Sequence, residues 1–139
     1  MQYVRDLTTI EEILSTDEET FNKFLDETFY DPKPGDFFFI KGKHDKAYLI
    51  QDIKHINYND YYIYNGREKV KQVDTLPLFT SGNLIDMMRA GQPVELRSLR
   101  DRWLFIFDDE HIYTSEEEEV LVSFLWRVIK DIAVKGILE

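Results

Sequence analysis

A chain of 139 residues without a single cysteine cannot build a disulfide scaffold, a Cys-ligated zinc site, an iron–sulfur cluster or a thiol nucleophile. Its 17 basic and 27 acidic side chains leave a net charge of −10, which opposes general binding to a phosphate backbone and suits a basic partner. The length predicts one domain over residues 1–139; with no run near the ~18 apolar residues of a membrane span and no apolar signal-peptide core, a soluble cytoplasmic protein with no membrane contact is expected.

The charge is unevenly spread. Residues 1–31 carry 2 basic and 9 acidic groups, residues 32–77 carry 8 and 6, and residues 78–139 carry 7 and 12. A mildly basic island therefore interrupts an acidic chain.

At the N-terminal end, Thr8 or Thr9 followed by Glu11 or Glu12 has the form of a capping box, and Leu7, Ile10, Ile13 and Leu14 follow at helical spacing. Thr16 with Glu19 repeats the signature for a second short helix. Its apolar stripe is Phe21, Phe24, Leu25 and Phe29, with Asp17, Glu18, Asp26 and Glu27 turned to water. The prolines and glycine of Asp31-Pro32-Lys33-Pro34-Gly35-Asp36 close that helix.

Strand patterns follow at once: Phe37 to Ile40, a turn over Gly42 to Asp45, and Ala47 to Ile53. Asn65-Gly66 then stands between Tyr61-Tyr62-Ile63-Tyr64 and a second strand-like arm ending at Val73, the pattern of a two-residue type I′ hairpin. Such a loop sets Tyr64 opposite Arg67, Ile63 opposite Glu68, Tyr62 opposite Lys69 and Tyr61 opposite Val70. One face then collects Tyr62, Tyr64, Arg67, Lys69 and Lys71, and the other Tyr61, Ile63 and Val70. Four strands in succession predict an antiparallel meander, curled in the manner of a small SH3-like barrel. Pro77 ends it and marks a weak internal boundary.

Beyond Pro77, Thr80 or Ser81 caps a helix through Leu84, Ile85 and Met88, stopped by Gly91. Val94 to Leu99 and Trp103 to Phe107 read as strands around a turn at Arg100-Asp101. Asp108-Asp109-Glu110 breaks the pattern, and Ile112-Tyr113 pairs briefly. Ser115 with Glu118 then opens a long helix to about Lys135, with Glu116 to Glu119 at its dipole-favoured start. At about 100° per residue, Val122, Phe124, Leu125, Trp126, Val128, Ile129, Ile132 and Ala133 span an arc of about 200°, wider than an ordinary core-facing stripe. Either this helix is covered from two sides or part of it forms a homo-oligomer contact. The fold class is α+β: a mainly antiparallel meander packed with an amphipathic C-terminal helix and two short N-terminal helices.

Chemistry-bearing motifs are sparse. None of the serines sits in a Gly-x-Ser-x-Gly elbow, and six scattered glycines make no phosphate loop, so no cofactor is expected and an enzyme is not the favoured class. Asp108, Asp109 and His111 offer ligands for a metal-assisted hydrolase, although adjacent strand residues point to opposite faces. The Tyr62, Tyr64, Arg67, Lys69 and Lys71 face interleaves aromatics with cations, as a site for a small ligand or single-stranded nucleic acid would; it can equally be tyrosines covering a sheet beneath lysine stems. Asp17, Glu18, Glu19, Asp26 and Glu27 give the N-terminal helices a surface to present to a basic protein, or merely a solvated one.

The segment from Leu76 through Pro77, Thr80 and Met88, followed by Trp103 to Phe107 and a terminal helix rich in Val, Leu and Trp, resembles a layout common in short phage and prophage proteins. The resemblance covers roughly the last 60 residues and carries no functional residue. It implies an accessory protein of a mobile element, in which setting a small acidic inhibitor of a basic host protein is the favoured function.

Overall fold

The computed structural model describes residues 6–28, 30–57, 60–90 and 92–136. Phe29 and Gly91, expected in the second helix's stripe and as a helix stop, lie outside the described residues. The described residues form four helices and three antiparallel three-stranded sheets, an α+β fold. The chain divides into two compact units, one of Thr9–Leu14 and Asp31–Phe79, the other of Met1–Thr8, Ser15–Tyr30 and Thr80–Glu139.

The first unit holds a short helix and two antiparallel three-stranded sheets. Its short helix α1 (Ile10–Leu14) begins with the expected capping box: the Thr9 hydroxyl accepts from the Glu12 N–H at 3.0 Å, and the Glu12 carboxylate accepts from the Thr9 N–H at 2.8 Å. Strand β1 (Phe37–Ile40) lies between β2 (Lys43–Leu49) and β6 (Thr75–Leu78), and β4 (Tyr61–Tyr64) lies between β3 (Asp52–His55) and β5 (Lys69–Lys71). The single strand read over Ala47 to Ile53 is thus two strands. The break falls where the Ile50 N–H donates to Asp36 O at 2.8 Å and the next N–H, of Gln51, donates to Tyr64 O at 2.8 Å, so the chain passes from one sheet to the other there. The run Ala47-Tyr48-Leu49-Ile50 is apolar throughout and no glycine or proline marks the kink, which is why the pattern hid it.

Phe38, Ile40, Ile50 and Ile63 form one buried cluster, with Tyr48, Ile53, Tyr61 and Val70 packed against it. Both sheets contribute to it. The chain crosses between the two sheets at Ile50 and Gln51, and a 3₁₀ turn, Gln72–Asp74, precedes the last strand. Pro77 does not end the meander but sits within β6, opposite Phe38; β6 is an edge strand, where a missing N–H costs no ladder bond. The turn read over Gly42 to Asp45 is tighter, with Gly42 at φ +83° and β2 already begun at Lys43.

In the second unit, α2 (Glu18–Thr28) is capped by Asp17 rather than Thr16. The Asp17 carboxylate accepts from the Thr20 N–H at 2.9 Å and the Thr20 hydroxyl at 2.8 Å. Helix α3 (Ser81–Arg89) opens with a capping box between Thr80 and Asn83. Helix α4 (Leu121–Lys135) buries all eight residues of the predicted arc and ends at Gly136 in the left-handed conformation, φ +71°. Both α2 and α3 pack on it, so the wide arc is covered from two sides within the chain. Trp126 meets the Phe24 ring edge-on at 5.4 Å and the Phe21 ring at 6.2 Å.

The start of α4 departs from expectation. Ser115 does not cap it: its hydroxyl accepts from the Trp103 N–H at 2.8 Å and donates to Glu116 O at 3.0 Å. Glu118 stands at φ +59° and Val120 is the N-cap, so Glu116 to Glu119 form a turn ahead of the helix. A Ser-x-x-Glu spacing fits such a turn as well as a capping box, and the β-sheet claims the serine.

The remaining sheet orders β7 (Val94–Ser98), β8 (Trp103–Phe107) and β9 (His111–Thr114). Asp108 and Asp109, at φ +53° and +59°, turn β8 into β9, and the Glu110 N–H donates to Phe107 O at 3.3 Å. Positive φ at both central residues is what a type I′ turn requires, so that geometry occurs here and not at Asn65-Gly66.

Candidate binding face of the curled sheet

The register of the Tyr-rich hairpin differs from the predicted one by two residues. Tyr64 pairs with Lys69, Ile63 with Val70 and Tyr62 with Lys71, leaving residues 65 to 68 as the turn. Asn65 is the cause. Its Oδ1 accepts from the N–H groups of Arg67 at 2.9 Å and Glu68 at 3.0 Å, and only Gly66, at φ +94°, takes a positive φ. A two-residue slip preserves which residues share a face, so Tyr62, Tyr64, Lys69 and Lys71 still lie together. Arg67 does not join them: it sits in the turn.

Strand β3 completes the surface on the other side. Asp52 pairs with Tyr64 and Lys54 with Tyr62, giving two cross-strand rows, Lys54–Tyr62–Lys71 and Asp52–Tyr64–Lys69. Lys54, Lys69 and Lys71 are exposed, Tyr62 is half-buried and Tyr64 is 38% exposed. The opposite face, Ile63 with Ile53 and Val70, closes the core. Sequence reasoning missed Lys54 because it ended the strand at Ile53; the alternation Asp52-Ile53-Lys54 is the signal that would have found it.

Charge is used differently in the two units. Among the described residues Lys54, Arg67, Lys69 and Lys71 form no ion pair. In the helical unit, by contrast, Arg102 reaches Asp101 at 3.1 Å and Glu117 at 3.0 Å, Arg127 reaches Glu119 at 2.8 Å and Lys135 reaches Asp131 at 2.8 Å. Asp131 also accepts from the Tyr113 hydroxyl at 2.8 Å, and burial together with that carboxylate pushes the phenol well above its usual range.

Beside the face lies a cleft of about 300 Å³, lined by Ile56, Asp60, Tyr61, Tyr62, Lys71, Gln72 and Val73. Tyr62 and Lys71 belong to both. Ile56 and Val73 are apolar yet 64% and 56% exposed. Burial first, then the charge of Asp31, raises the Tyr61 phenol above its ordinary value. No short sequence pattern announces this cleft, because its lining is brought together from β4, β5 and the segments flanking them.

The acidic residues of the N-terminal helices are less uniform than expected. Asp17 is spent on capping, and its bond from the Thr20 N–H, then from the Thr20 hydroxyl, holds its carboxyl below the usual range. Glu18, Glu19 and Asp26 are exposed. Glu27 is not turned to water: its side chain is only 17% exposed and pairs with Lys23 at 3.9 Å. Asp108 and Asp109 form the β8–β9 turn, and among the described residues no three His, Cys, Asp or Glu side chains converge as metal ligands. No helix among the described residues is long and apolar enough to cross a membrane. Neither a protein-family model, nor a curated protein, nor a solved structure matches the chain.

Proposed function

We propose that this is a non-enzymatic interaction protein whose first unit binds single-stranded nucleic acid on the Lys54–Tyr62–Lys71 and Asp52–Tyr64–Lys69 rows. One observation supports the reading: two tyrosines stand on alternate positions of β4, Tyr62 between the exposed Lys54 and Lys71 and Tyr64 between Asp52 and the exposed Lys69, and none of the three lysines forms an ion pair among the described residues. Tyr62 and Tyr64 project from the same face about 7 Å apart, from a strand rise of about 3.4 Å per residue, which suits stacking of successive splayed bases. Phosphates then fall to the lysines at the flanks. The chain's overall acidity does not oppose this locally, since residues 32–77 carry 8 basic and 6 acidic groups.

The test is fluorescence anisotropy with a labelled single-stranded oligonucleotide at low salt. Replacing both Tyr62 and Tyr64 by alanine should weaken binding at least tenfold, since each base–aromatic stack is worth about 1–3 kcal/mol. Absence of binding to any single strand at low salt removes the proposal.

A second reading keeps the expected basic protein as partner, met by the acidic helices. It is favoured by Glu18, Glu19 and Asp26, which are exposed and form no ion pair among the described residues. Reversing Glu18, Glu19 and Asp26 to lysine should then abolish salt-sensitive capture of a basic partner; unchanged capture removes it.

A further inference from the structure

We infer that the cleft beside Tyr62 is a nucleobase pocket that prefers a base bearing an exocyclic amine, cytosine, adenine or guanine, over thymine or uracil, so that the face has a base preference. This rests on the nucleic-acid reading above and goes beyond it by assigning a residue that reads the base.

Three features of the cleft point the same way. Its volume of about 300 Å³ admits a planar base, and its apolar walls Ile56 and Val73 lie on the same cleft as the Tyr62 ring. Exposed apolar side chains are ordinary when scattered; two lining one cleft beside an aromatic ring make a slot for a flat apolar surface. Lys71 lines the same cleft and lies across the strand pair from Tyr62, placed to hold the phosphate that follows the inserted base.

Asp60 supplies the selectivity. Its Oδ2 accepts from Asn57 Nδ2 at 3.2 Å and its own N–H donates to Asn57 Oδ1 at 3.1 Å, which ties Asp60 to the Asn57 side chain at the protein surface. Oδ1 has no partner among the described residues. An ionised carboxylate only accepts, and it therefore pairs with the N4 amine of cytosine, the N6 amine of adenine or the N1–H and N2 amine of guanine. Thymine and uracil offer the carboxylate only an N3–H between two carbonyl oxygens that it repels, so they pair more weakly. The same charge keeps phosphate out of the cleft and leaves it to Lys54 and Lys71, which fixes the polarity of insertion: base inward, backbone outward.

The experiment compares labelled octamers of deoxycytidine, deoxyadenosine and thymidine by anisotropy at low salt, using the full chain. The wild type should bind the cytidine and adenosine octamers about tenfold more tightly than the thymidine octamer. Asp60→Asn, whose amide can also donate, should collapse that ratio towards one while leaving thymidine binding within about twofold. Val73→Ser, at a position more than half exposed, should reduce the preferred octamers alone, with an unchanged circular dichroism spectrum certifying the fold. Lys54→Ala should weaken all three equally. Equal binding of all octamers by the wild type overturns the base preference while the nucleic-acid reading stands. Preference that survives Asp60→Asn overturns the role of Asp60. No binding of any octamer, or displacement of bound octamer only by an acidic peptide and not by unlabelled octamer, overturns both.

Discussion

Removing the indole of Trp126 tests how the helical unit is held together. The side chain is 2% exposed at the middle of α4, edge-on to Phe24 at 5.4 Å and tilted against Phe21 at 6.2 Å, with the Lys130 ammonium 5.6 Å above its ring. A buried tryptophan withdraws about 150–250 Å² from water, which at about 25 cal/mol per Å² corresponds to about 4–6 kcal/mol. Alanine retains the β-carbon, and large-to-small aromatic substitutions in cores cost about 3–5 kcal/mol. Trp126→Ala should therefore destabilise the unit by about 4 kcal/mol, a large fraction of a typical domain's stability. Urea unfolding followed by fluorescence isolates the effect, because Trp103 and Trp126 are the chain's two tryptophans and both belong to Thr80–Glu139. Trp103 stays as reporter in the variant, and a double-mutant cycle with Phe24→Leu should return a coupling of about 1 kcal/mol for the edge-on pair. A loss below about 1 kcal/mol for Trp126→Ala would mean that α2 does not pack on α4 as described.

Other positions give sharper local tests. Asn65→Gly should lower the thermal midpoint by removing the acceptor for two turn N–H groups, at about 1 kcal/mol; a raised midpoint would instead indicate the two-residue type I′ hairpin. Asp109→Gly should be neutral or stabilising and Asp109→Val should cost about 1–2 kcal/mol, because φ there is +59°; equal effects in thermal melts would contradict the left-handed turn. The Asp17 carboxyl titrates below its ordinary value of 3.8 when folded, so its contribution is present above that value and lost as pH falls through the lowered one. Asp17→Ala should accordingly be less stable than wild type at pH 7, with the gap narrowing below about pH 3.8; a pH-independent gap would show that the carboxylate is not the cap.

Side-chain periodicity made the buried arc of α4 readable in full, and local capping chemistry narrowed two helix starts to Thr8 or Thr9 and to Thr80 or Ser81, of which Thr9 and Thr80 are the caps. The Tyr/Lys face was readable despite a misplaced register, because a slip of two residues leaves Tyr62, Tyr64, Lys69 and Lys71 on one side. What escaped was set by non-local bonds. Nothing local tells that Ile50 and Gln51 bond into different sheets, or that the Ser115 hydroxyl serves the Trp103 N–H and not a helix end. Pro77 reads as a terminator unless its strand is known to lie at an edge. The cleft depends on segments far apart between Ile56 and Val73, and so appears only once β4 and β5 are paired in their true register.

The salt dependence of single-strand binding, wild type against a chain with Lys54, Lys69 and Lys71 all replaced by alanine, is the most direct measure of whether the sheet face is the working surface. With about three phosphates neutralised at about −0.7 each, log K against log salt should fall with a slope of about −2 in the wild type and flatten towards zero in the variant. Equal slopes in the two proteins, or no measurable binding by the wild type at low salt, would contradict it.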